Sequence, residues 1–331
     1  MIFKPNKYII LYNNDYLLIL LLILLINIFN KYLIYLFNLE NKENILKYKI
    51  FIIFILTGLF IPLLALVSCN PKPEKLGGGG KIPTNTPDPR KQDPPKPVET
   101  ADQQKQRIVN DLIALINLGI KRNITTHNNA TWNEDKQKYN IKASNQLFGV
   151  IQYTDAQKQP KLYNTQDDES KTARREMYLG LRNISRIIKA FGALANKMVA
   201  AQNVQMKTDL ENMVDKIRQY GTAFYLTAYN TLTDKQDKLM ELDLNDLQTL
   251  KAKFKTINSS DKKIYSEFAY SIYDDHDKNI EVGTAKHTLQ DNATAEEIQD
   301  YLNGKFTSVE SDFDAIIKEA LDVAGILNKI Q

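Results

Sequence analysis

Apolar residues recur at helical spacing along most of the chain after Thr100. Because an α-helix has 3.6 residues per turn, residues three and four apart lie on one face and form a stripe. Two stripes predict a first helix, with Thr100 or Asp102 available as its N-cap, and a long central helix after Ser170. The first stripe consists of Ile108, Leu112, Leu115, Ile116 and Ile120, and the second of Met177, Leu181, Ile184, Ile188, Phe191, Ala195 and Met198.

Further stripes predict helices over the last 120 or so residues. The second long helix carries Leu210, Met213, Ile217, Tyr220, Phe224, Ala228 and Leu232. A third ends at Asn258-Ser259-Ser260 after Leu244, Leu247, Leu250, Phe254 and Ile257, and Ser260 can cap the helix that bears Ile264, Phe268 and Ile272. Thr294 and Glu297 match a capping box ahead of Ile298 and Leu302, and the final helix carries Val309, Phe313, Ile316, Ala320, Val323, Leu327 and Ile330.

Two segments between the stripes lack helical periodicity. Residues 122–169 are rich in Asn, Gln, Lys and Thr around an apolar patch at 147–151, so we expect irregular structure with a short helix there. Trp132 is expected to dock this segment, with exposure as the alternative, and residues 274–292 are expected to form a loop. Since no stretch alternates apolar and polar residues as strands do, residues 100–331 are predicted to be all-α, an elongated bundle of about five to seven helices.

The apolar residues before position 69 follow a different pattern. Two lysines precede the nearly uncharged run Ile50–Val67, which is followed directly by Ser68 and Cys69. A basic start, an apolar run and small residues before the cut are typical of a signal peptide. We therefore predict that residues 46–68 are removed by cleavage between Ser68 and Cys69, and that Cys69 is lipidated. An uncleaved membrane span is the alternative, since the run of 18 residues is close to the roughly 20 that a span needs; a glycine and a proline inside the run argue against it.

A second apolar stretch, at residues 17–39, precedes this complete signal peptide. Because an exported protein needs one leader, we interpret residues 1–45 as a non-native upstream extension and predict that translation starts at Leu46. Residues 69–99 contain eight prolines and the run Gly77–Gly80, a composition that favours neither a helix nor a core. This segment is predicted to be a disordered lipidated tether. It does not match a phosphate-binding loop, since no serine or threonine follows its lysine.

Charge and cysteine content narrow the function. Six of the 43 basic and three of the 39 acidic residues precede Ser68, so the rest of the chain is close to neutral. Without a net basic field, nucleic-acid binding is not expected. Cys69 is the only cysteine, so the sequence after it offers neither a disulfide nor a thiolate metal cluster.

Catalytic and metal-binding patterns are weak in this sequence. The three histidines, His127, His276 and His287, lie in predicted loops or helix ends, and no Ser/His/Asp, HExxH or dinucleotide-binding pattern accompanies them. The segment 274–277 places three aspartates around a histidine, but the glycine and terminal glutamate of a calcium loop are missing. We interpret this segment as a solvated acidic turn. We therefore expect no enzymatic activity, no cofactor and no bound metal.

Several blocks of the sequence resemble one family of bacterial surface proteins. They are Cys69-Asn70, Arg175-Glu176-Met177-Tyr178-Leu179, Phe224–Leu232, Leu242–Ile257 and the terminal Leu327-Asn328-Lys329-Ile330. From Leu46 to Gln331 the chain resembles Borrelia paralogous family fifty-four, the outer-surface lipoproteins that include complement regulator-acquiring surface protein one. The resemblance implies an all-helical protein, lipid-anchored and surface-exposed on the cell outer membrane of a tick-borne spirochaete. Members bind factor H and related regulators, terminal complement components, plasminogen or tick proteins, and one dimerises through its C-terminal region.

The resemblance makes one functional hypothesis the leading one: a surface-exposed lipoprotein that binds host complement components or regulators for immune evasion. The first alternative is an adhesin for tick or host-tissue proteins. The second is a structural surface protein that acts by self-association, for example as a homodimer. A solute-binding protein is disfavoured because that class normally has two α/β lobes. Only the lipidation site, Cys69, is carried over from the family residue by residue.

Overall fold

The computed structural model describes residues 99–331. The predictions for the extension at 1–45, the signal peptide at 46–68, the cleavage between Ser68 and Cys69, the lipidation of Cys69 and the tether up to residue 98 fall outside these described residues. Within them helices dominate, and the all-α prediction is confirmed. No helix among residues 99–331 has both the length and the apolar composition that a membrane span requires.

The described part of the chain consists of α-helical segments and two short antiparallel hairpins. The helices are α1 Ala101–Ala114, α2 Leu118–Asn128, α3 Leu147–Val150, α4 Asp168–Gly180, α5 Ser185–Ala200, α6 Val204–Gly221, α7 Asn230–Lys235, α8 Leu244–Lys263, α9 Tyr270–Asp277, α10 Ala295–Thr307 and α11 Glu310–Leu327. The hairpins pair β1 Gln152–Thr154 with β2 Pro160–Leu162, and β3 Glu281–Val282 with β4 His287–Thr288. Short 3₁₀ segments lie at Asp135–Gln137 and Gln236–Glu241.

Side chains at the helix starts explain where helices begin. Thr100 accepts a hydrogen bond from the Gln103 backbone amide, and the Gln103 side chain accepts one from the Thr100 amide, which completes a capping box at α1. Thr294 and Glu297 form the same arrangement at α10, so that prediction is confirmed. These side chains satisfy backbone N–H groups that the first turn of a helix leaves unpaired.

Two predicted helices are broken in the structure. The first stripe is divided at Asn117, whose side chain caps α2. The single helix predicted after Ser170 is also wrong: α4 ends at Gly180, and Arg182 and Asn183 adopt left-handed backbone conformations, with φ of 58° and 52°, before α5 begins. The apolar stripe runs straight through this turn, so periodicity alone does not reveal it.

The break predicted after Ile257 does not exist. Residues 244–277 form one continuous rod, because a π-helical segment at Ile264–Ala269 joins α8 to α9. The Ser260 hydroxyl donates to Asp312 Oδ1 of α11 at 2.8 Å instead of capping a helix. The Asn258 side chain likewise accepts a hydrogen bond from the Tyr229 hydroxyl at 2.7 Å. Polar residues that resemble a helix end in the sequence therefore serve contacts between helices.

A second π-helical segment, Thr222–Tyr229, joins α6 to α7. Around these two long rods lies a single hydrophobic core, whose fully buried rings include Phe191, Phe224, Phe254, Phe268 and Phe313. The backbones of α4 and α6 approach closely where two glycines meet, since a Cβ on Gly221 would lie 2.7 Å from the backbone nitrogen of Gly180. This contact brings Glu176 of α4 next to Arg218 of α6.

Candidate functional site

Arg174 holds the polar segment between α2 and α4 against the core. Its side chain is 1% exposed, and its Nε and Nη2 atoms each donate to the Glu134 carboxylate at 2.8 Å. Its Nη1 atom donates to the backbone carbonyl oxygens of Tyr163 and Thr165. Tyr178 donates its hydroxyl to the same carboxylate, and burial raises the pKa of this tyrosine well above its ordinary value. An unpaired charge in the interior is costly, so this complete set of partners fixes the segment in place.

Aromatic rings surround this ion pair. Trp132, Tyr139 and Phe148 have ring centres 5.9, 4.8 and 5.9 Å from that of Tyr178. Trp132 is half-buried against the core, which confirms that it docks the segment. The Arg175 guanidinium lies 5.5 Å from the Trp132 ring and donates to two carbonyl oxygens at the end of α2. The polar segment is therefore a fixed part of the molecular surface.

Arg218 lies between two adjoining depressions on the surface of α6. Its guanidinium donates to Glu176 of α4 at 2.8 and 3.1 Å and to the Tyr163 hydroxyl at 3.1 Å. It also lies 5.1 Å from the ring centre of Tyr153 and 5.4 Å from that of Tyr163. Arg218 and Glu176 line both depressions: one of about 500 Å³ reaches the β1–β2 hairpin, and one of about 340 Å³ reaches α11. We call the two together the Arg218 groove.

Leu321 gives the Arg218 groove an exposed apolar wall. The core face of α11 is formed by Phe313, Ile316, Ala320, Val323 and Leu327, all of which are buried. Since each helical residue turns by about 100°, Ile317 and Leu321 form a second stripe beside that face, and Leu321 is 66% exposed. Apolar surface next to a partly buried arginine and tyrosine rings is typical of the centre of a protein–protein interface.

The histidines singled out in the sequence lie on three different elements. His127 and His276 occupy the last turns of α2 and α9, and His287 lies in β4 with its Nδ1 atom 2.9 Å from Glu297. Burial lowers the pKa of His127 and of His276. In the part of the chain that the structure describes, no three His, Cys, Asp or Glu residues form a group that could hold a metal ion.

The acidic segment 274–277 is helical, so its interpretation as a turn is wrong. It forms the last turn of α9, and only the residues that follow contain the β3–β4 hairpin. Asp274 pairs with Lys278 at 2.6 Å, and Asp275 pairs with Lys305 of α10 at 2.7 Å. Burial alone would raise the pKa of Asp275, but hydrogen bonds from Lys305 and Tyr301 hold it below its ordinary value. Asp275 thereby ties α9 to α10, whereas Asp274 pairs within its own end of the helix.

The residues that organise these surfaces, Arg174, Glu134 and Arg218, were not predicted from the sequence. A signal existed for Arg174, which precedes Met177 by three residues on the buried stripe of α4, where an apolar residue is expected. A charged residue at such a position indicates a buried partner. Glu134 lies in an aperiodic segment and Arg218 beside the buried stripe of α6, where charged residues are ordinary.

Comparisons with known proteins place this fold in a family. The family model described as Borrelia Bbcrasp-1 domain containing protein matches residues 128–328. Among solved structures, the chain is similar to a C-terminal proteolytic fragment of an outer surface protein from Borrelia burgdorferi, with 15% identity and a TM-score of 0.50 over 66% of this chain and 99% of that one. It is also similar to the Lyme disease associated outer surface protein BBA65 from Borrelia burgdorferi, with 16% identity and a TM-score of 0.50 over 67% of this chain and 99% of that one.

At these identities the likeness to solved structures shows the fold alone. A search of curated protein sequences found no match. The family match spans more than half of the chain, and it confirms the resemblance to family fifty-four. The chain therefore belongs to the Borrelia Bbcrasp-1 domain family.

Proposed function

We propose that the chain is an outer-surface lipoprotein that binds host proteins, in the first place complement components or regulators. Its family and the outer surface proteins that share its fold support this location. In this proposal the signal peptide is cut after Ser68, and acyl chains on Cys69 hold the protein on the outer membrane. Each buried methylene contributes about 0.8 kcal/mol, so two or three chains suffice without a membrane-spanning helix.

The anchor is tested by labelling Borrelia cells with radioactive palmitate and by treating intact cells with proteinase K. We expect the wild-type chain to incorporate label and Cys69→Ala to incorporate none, and we expect the protease to remove the protein from intact cells. Label on Cys69→Ala would refute the lipidation site, and full protection from the protease would refute surface exposure. Peptides from residues 1–45 in mass spectra of the native protein would refute the start at Leu46.

The Arg218 groove is the observation that carries the binding part of the proposal. Arg218 and its tyrosine neighbours are held in place by hydrogen bonds and ring contacts, so they lose little conformational freedom when a partner binds. Leu321 offers apolar surface to that partner. Since fully burying a leucine contributes about 1.5–3 kcal/mol, covering a side chain that is 66% exposed would contribute about 1–2 kcal/mol.

A pull-down from human serum tests this surface, with the lipid-free chain from Asn70 onward as bait. Leu321→Asp places a charge in the groove wall. Val204→Asp is the matched control, because Val204 is 79% exposed at the first position of α6 and lies outside the groove. We expect wild type and the Val204 variant to retain a complement protein, and the Leu321 variant to retain about tenfold less.

Each other outcome has a defined meaning. If wild type retains no complement protein, the complement assignment is refuted. If wild type retains no serum protein but retains proteins in a parallel pull-down from tick-gut extract, the adhesin alternative replaces it. Equal retention by all three proteins would show that the partner binds elsewhere and would refute the Arg218 groove as the site.

Self-association is the second candidate function, and the exposed stripe on α11 favours it. Leu321 is followed on the same helix by Ala324 and Gly325, and a Cβ on Gly325 would meet no atom within 4 Å. This open strip of small residues would let a second copy approach closely. Light scattering should then find a dimer for wild type and a monomer for Leu321→Asp; a wild-type monomer at micromolar concentration would refute this candidate.

A further inference from the structure

A second groove lies between α5 and α9 and has a volume of about 410 Å³. Its floor is the face of α5 that carries residues 186, 189, 190, 193 and 196. One wall is formed by Tyr139 and Asn140 from the loop before α3, and the other by Tyr273 and His276 from α9. Ten residues of helix span about 15 Å at 1.5 Å per residue. The α5–α9 groove is therefore long enough for a short stretch of extended chain.

The charge of this groove differs from that of the Arg218 groove. Its lining contains Arg186 and Lys189 but no carboxylate, whereas the Arg218 groove is lined by Asp155 and Glu176 among others. Arg186 and Lys189 are both exposed, and within residues 99–331 neither pairs with a carboxylate. The two cations are therefore available to an anionic ligand.

Arg186 is held in a defined position by an aromatic ring. Its guanidinium lies 4.9 Å from the ring centre of Tyr273, and it donates no hydrogen bond to any other described residue. Stacking on a ring restricts the planar guanidinium, whose paired N–H groups match the two oxygens of a carboxylate. A ligand carboxylate would thus meet a receptor group that needs little reorganisation.

Most of the exposed lining of the groove is apolar. Ala190 and Ala193 form a floor that lets an occupant approach the helix closely. The Asn196 amide is already used, because it donates to the Asn140 backbone carbonyl at 2.8 Å and accepts from the Leu147 amide at 2.8 Å. A sulfated sugar chain, with its many hydroxyl groups, would place most of these polar groups against an apolar lining. Small apolar side chains between carboxylates fit this surface better.

From these features we propose that the α5–α9 groove binds an extended acidic peptide segment of a partner protein. One carboxylate pairs with Arg186 and a second with Lys189, while a small apolar side chain lies on Ala190 and Ala193. At about 3.3 Å per residue, the 15 Å floor holds about four to five residues of extended chain. This site goes beyond the Arg218 groove, since it is a second surface with a ligand chemistry of its own.

The test is an array of synthetic octapeptides that carry zero to four glutamates among alanine and valine. It is probed with the lipid-free chain from Asn70 onward, as wild type and as the double variant Arg186→Gln/Lys189→Gln. The matched control is Lys255→Gln/Lys262→Gln, which removes the same charge from exposed positions of α8 outside the groove. A further variant, Ala193→Glu, places a carboxylate on the exposed floor one helical turn from Lys189, where it competes with a ligand carboxylate for that cation.

We expect binding to increase with the number of glutamates and to weaken as salt is raised from about 0.05 to about 0.3 M, because screening shortens the reach of each charge. The control should bind like wild type. The double variant and Ala193→Glu should each bind about tenfold more weakly, while their melting temperatures stay within about 2 °C of wild type, since the changed side chains are exposed.

Equal binding by wild type, the double variant and Ala193→Glu would overturn the site. Binding that does not depend on the glutamate count would overturn the acidic ligand. A heparin hexasaccharide is included as a probe of the other polymer class. If it binds more tightly than the best peptide and is lost in the same variants, the ligand is a sulfated polysaccharide and the peptide assignment is overturned. Leu321→Asp leaves this groove unchanged, so failure of the serum experiment and failure of this one are distinguishable.

Discussion

The buried ion pair between Arg174 and Glu134 makes the largest stability prediction. Glu134→Ala would leave the Arg174 guanidinium, at 1% exposure, with only two backbone carbonyl oxygens as acceptors. Removing one partner of a buried pair costs about 3–5 kcal/mol. The Tyr178 hydroxyl would also lose its acceptor. Because Glu134 is itself 17% exposed, water reaches the site, and we expect a loss near the lower end, about 3 kcal/mol.

Urea unfolding followed by far-ultraviolet circular dichroism measures this loss directly. For a folded region of this length, about 3 kcal/mol corresponds to a fall in Tm of about 6–12 °C. The matched control is Asp111→Ala, which breaks an exposed ion pair: the Asp111 side chain is 50% exposed and that of its partner Lys251 is 45% exposed. Since solvent screens such pairs, the control should unfold at the same urea concentration as wild type.

A double variant separates charge burial from packing. Glu134→Leu combined with Arg174→Met replaces the ion pair by apolar groups, and we expect it to be more stable than Glu134→Leu alone, because no charge is left unpaired. Two results would refute the reasoning. One is a free energy of unfolding for Glu134→Ala within about 1 kcal/mol of wild type. The other is a double variant whose loss of stability equals the sum of the losses measured for Glu134→Leu and Arg174→Met alone.

Three further predictions concern packing, pH dependence and capping. Gly180→Ala should destabilise the fold by about 1–3 kcal/mol, since a Cβ would lie 2.3 Å from the Ile217 carbonyl oxygen. Gly304→Ala should stabilise it by about 0.5–1 kcal/mol, because a Cβ at that helical position meets nothing within 4 Å. A change in Tm of the same sign for both variants would contradict this prediction. Burial lowers the pKa of His127 from 6.5, so the folded state binds fewer protons than the unfolded chain, and stability should fall as pH drops through about 6.5. His127→Asn should therefore reduce the difference in Tm between pH 7.5 and 5.5. An unchanged difference would contradict this prediction. Thr294→Ala should cost about 1 kcal/mol in urea titrations by removing the α10 cap, and an unchanged midpoint would show that the cap is unimportant.

The amphipathic stripes were predictable because they depend on local spacing and burial. The stripe from Phe313 to Leu327, for example, is buried at every position. The turn between α4 and α5 was not predictable, because its cause is distant in sequence. Arg182 pairs with Asp261 at 2.7 Å and lies 4.0 Å from the Tyr265 ring centre. These tertiary contacts stabilise a turn whose two left-handed positions, Arg182 and Asn183, hold neither a glycine nor a proline.

The candidate binding surfaces were harder to predict from the sequence than the helices. The exposure of Leu321 follows from the stripe of α11 alone, since it directly succeeds the buried Ala320. The Arg218 groove does not, because Glu176 lies 42 positions away from Arg218 on another helix. The α5–α9 groove likewise depends on Tyr139 and a distant helix face. The lipidation of Cys69 stays a prediction, as it lies outside the described residues.

The Arg174–Glu134 ion pair holds in place the polar segment between α2 and α4, and both proposed binding surfaces depend on residues of this segment. Tyr139, a wall of the α5–α9 groove, packs 4.8 Å from Tyr178, the hydrogen-bond partner of Glu134. Tyr163, whose carbonyl oxygen accepts from Arg174, orients Arg218 through its hydroxyl.

We therefore expect Glu134→Ala, at a temperature where the chain is still folded, to weaken both the acidic-peptide array signal and the serum pull-down. Leu321→Asp should affect only the pull-down, and Arg186→Gln/Lys189→Gln only the array. Full retention of both activities by a destabilised Glu134→Ala variant would show that the polar segment keeps its position without the ion pair, and that the pair contributes stability alone.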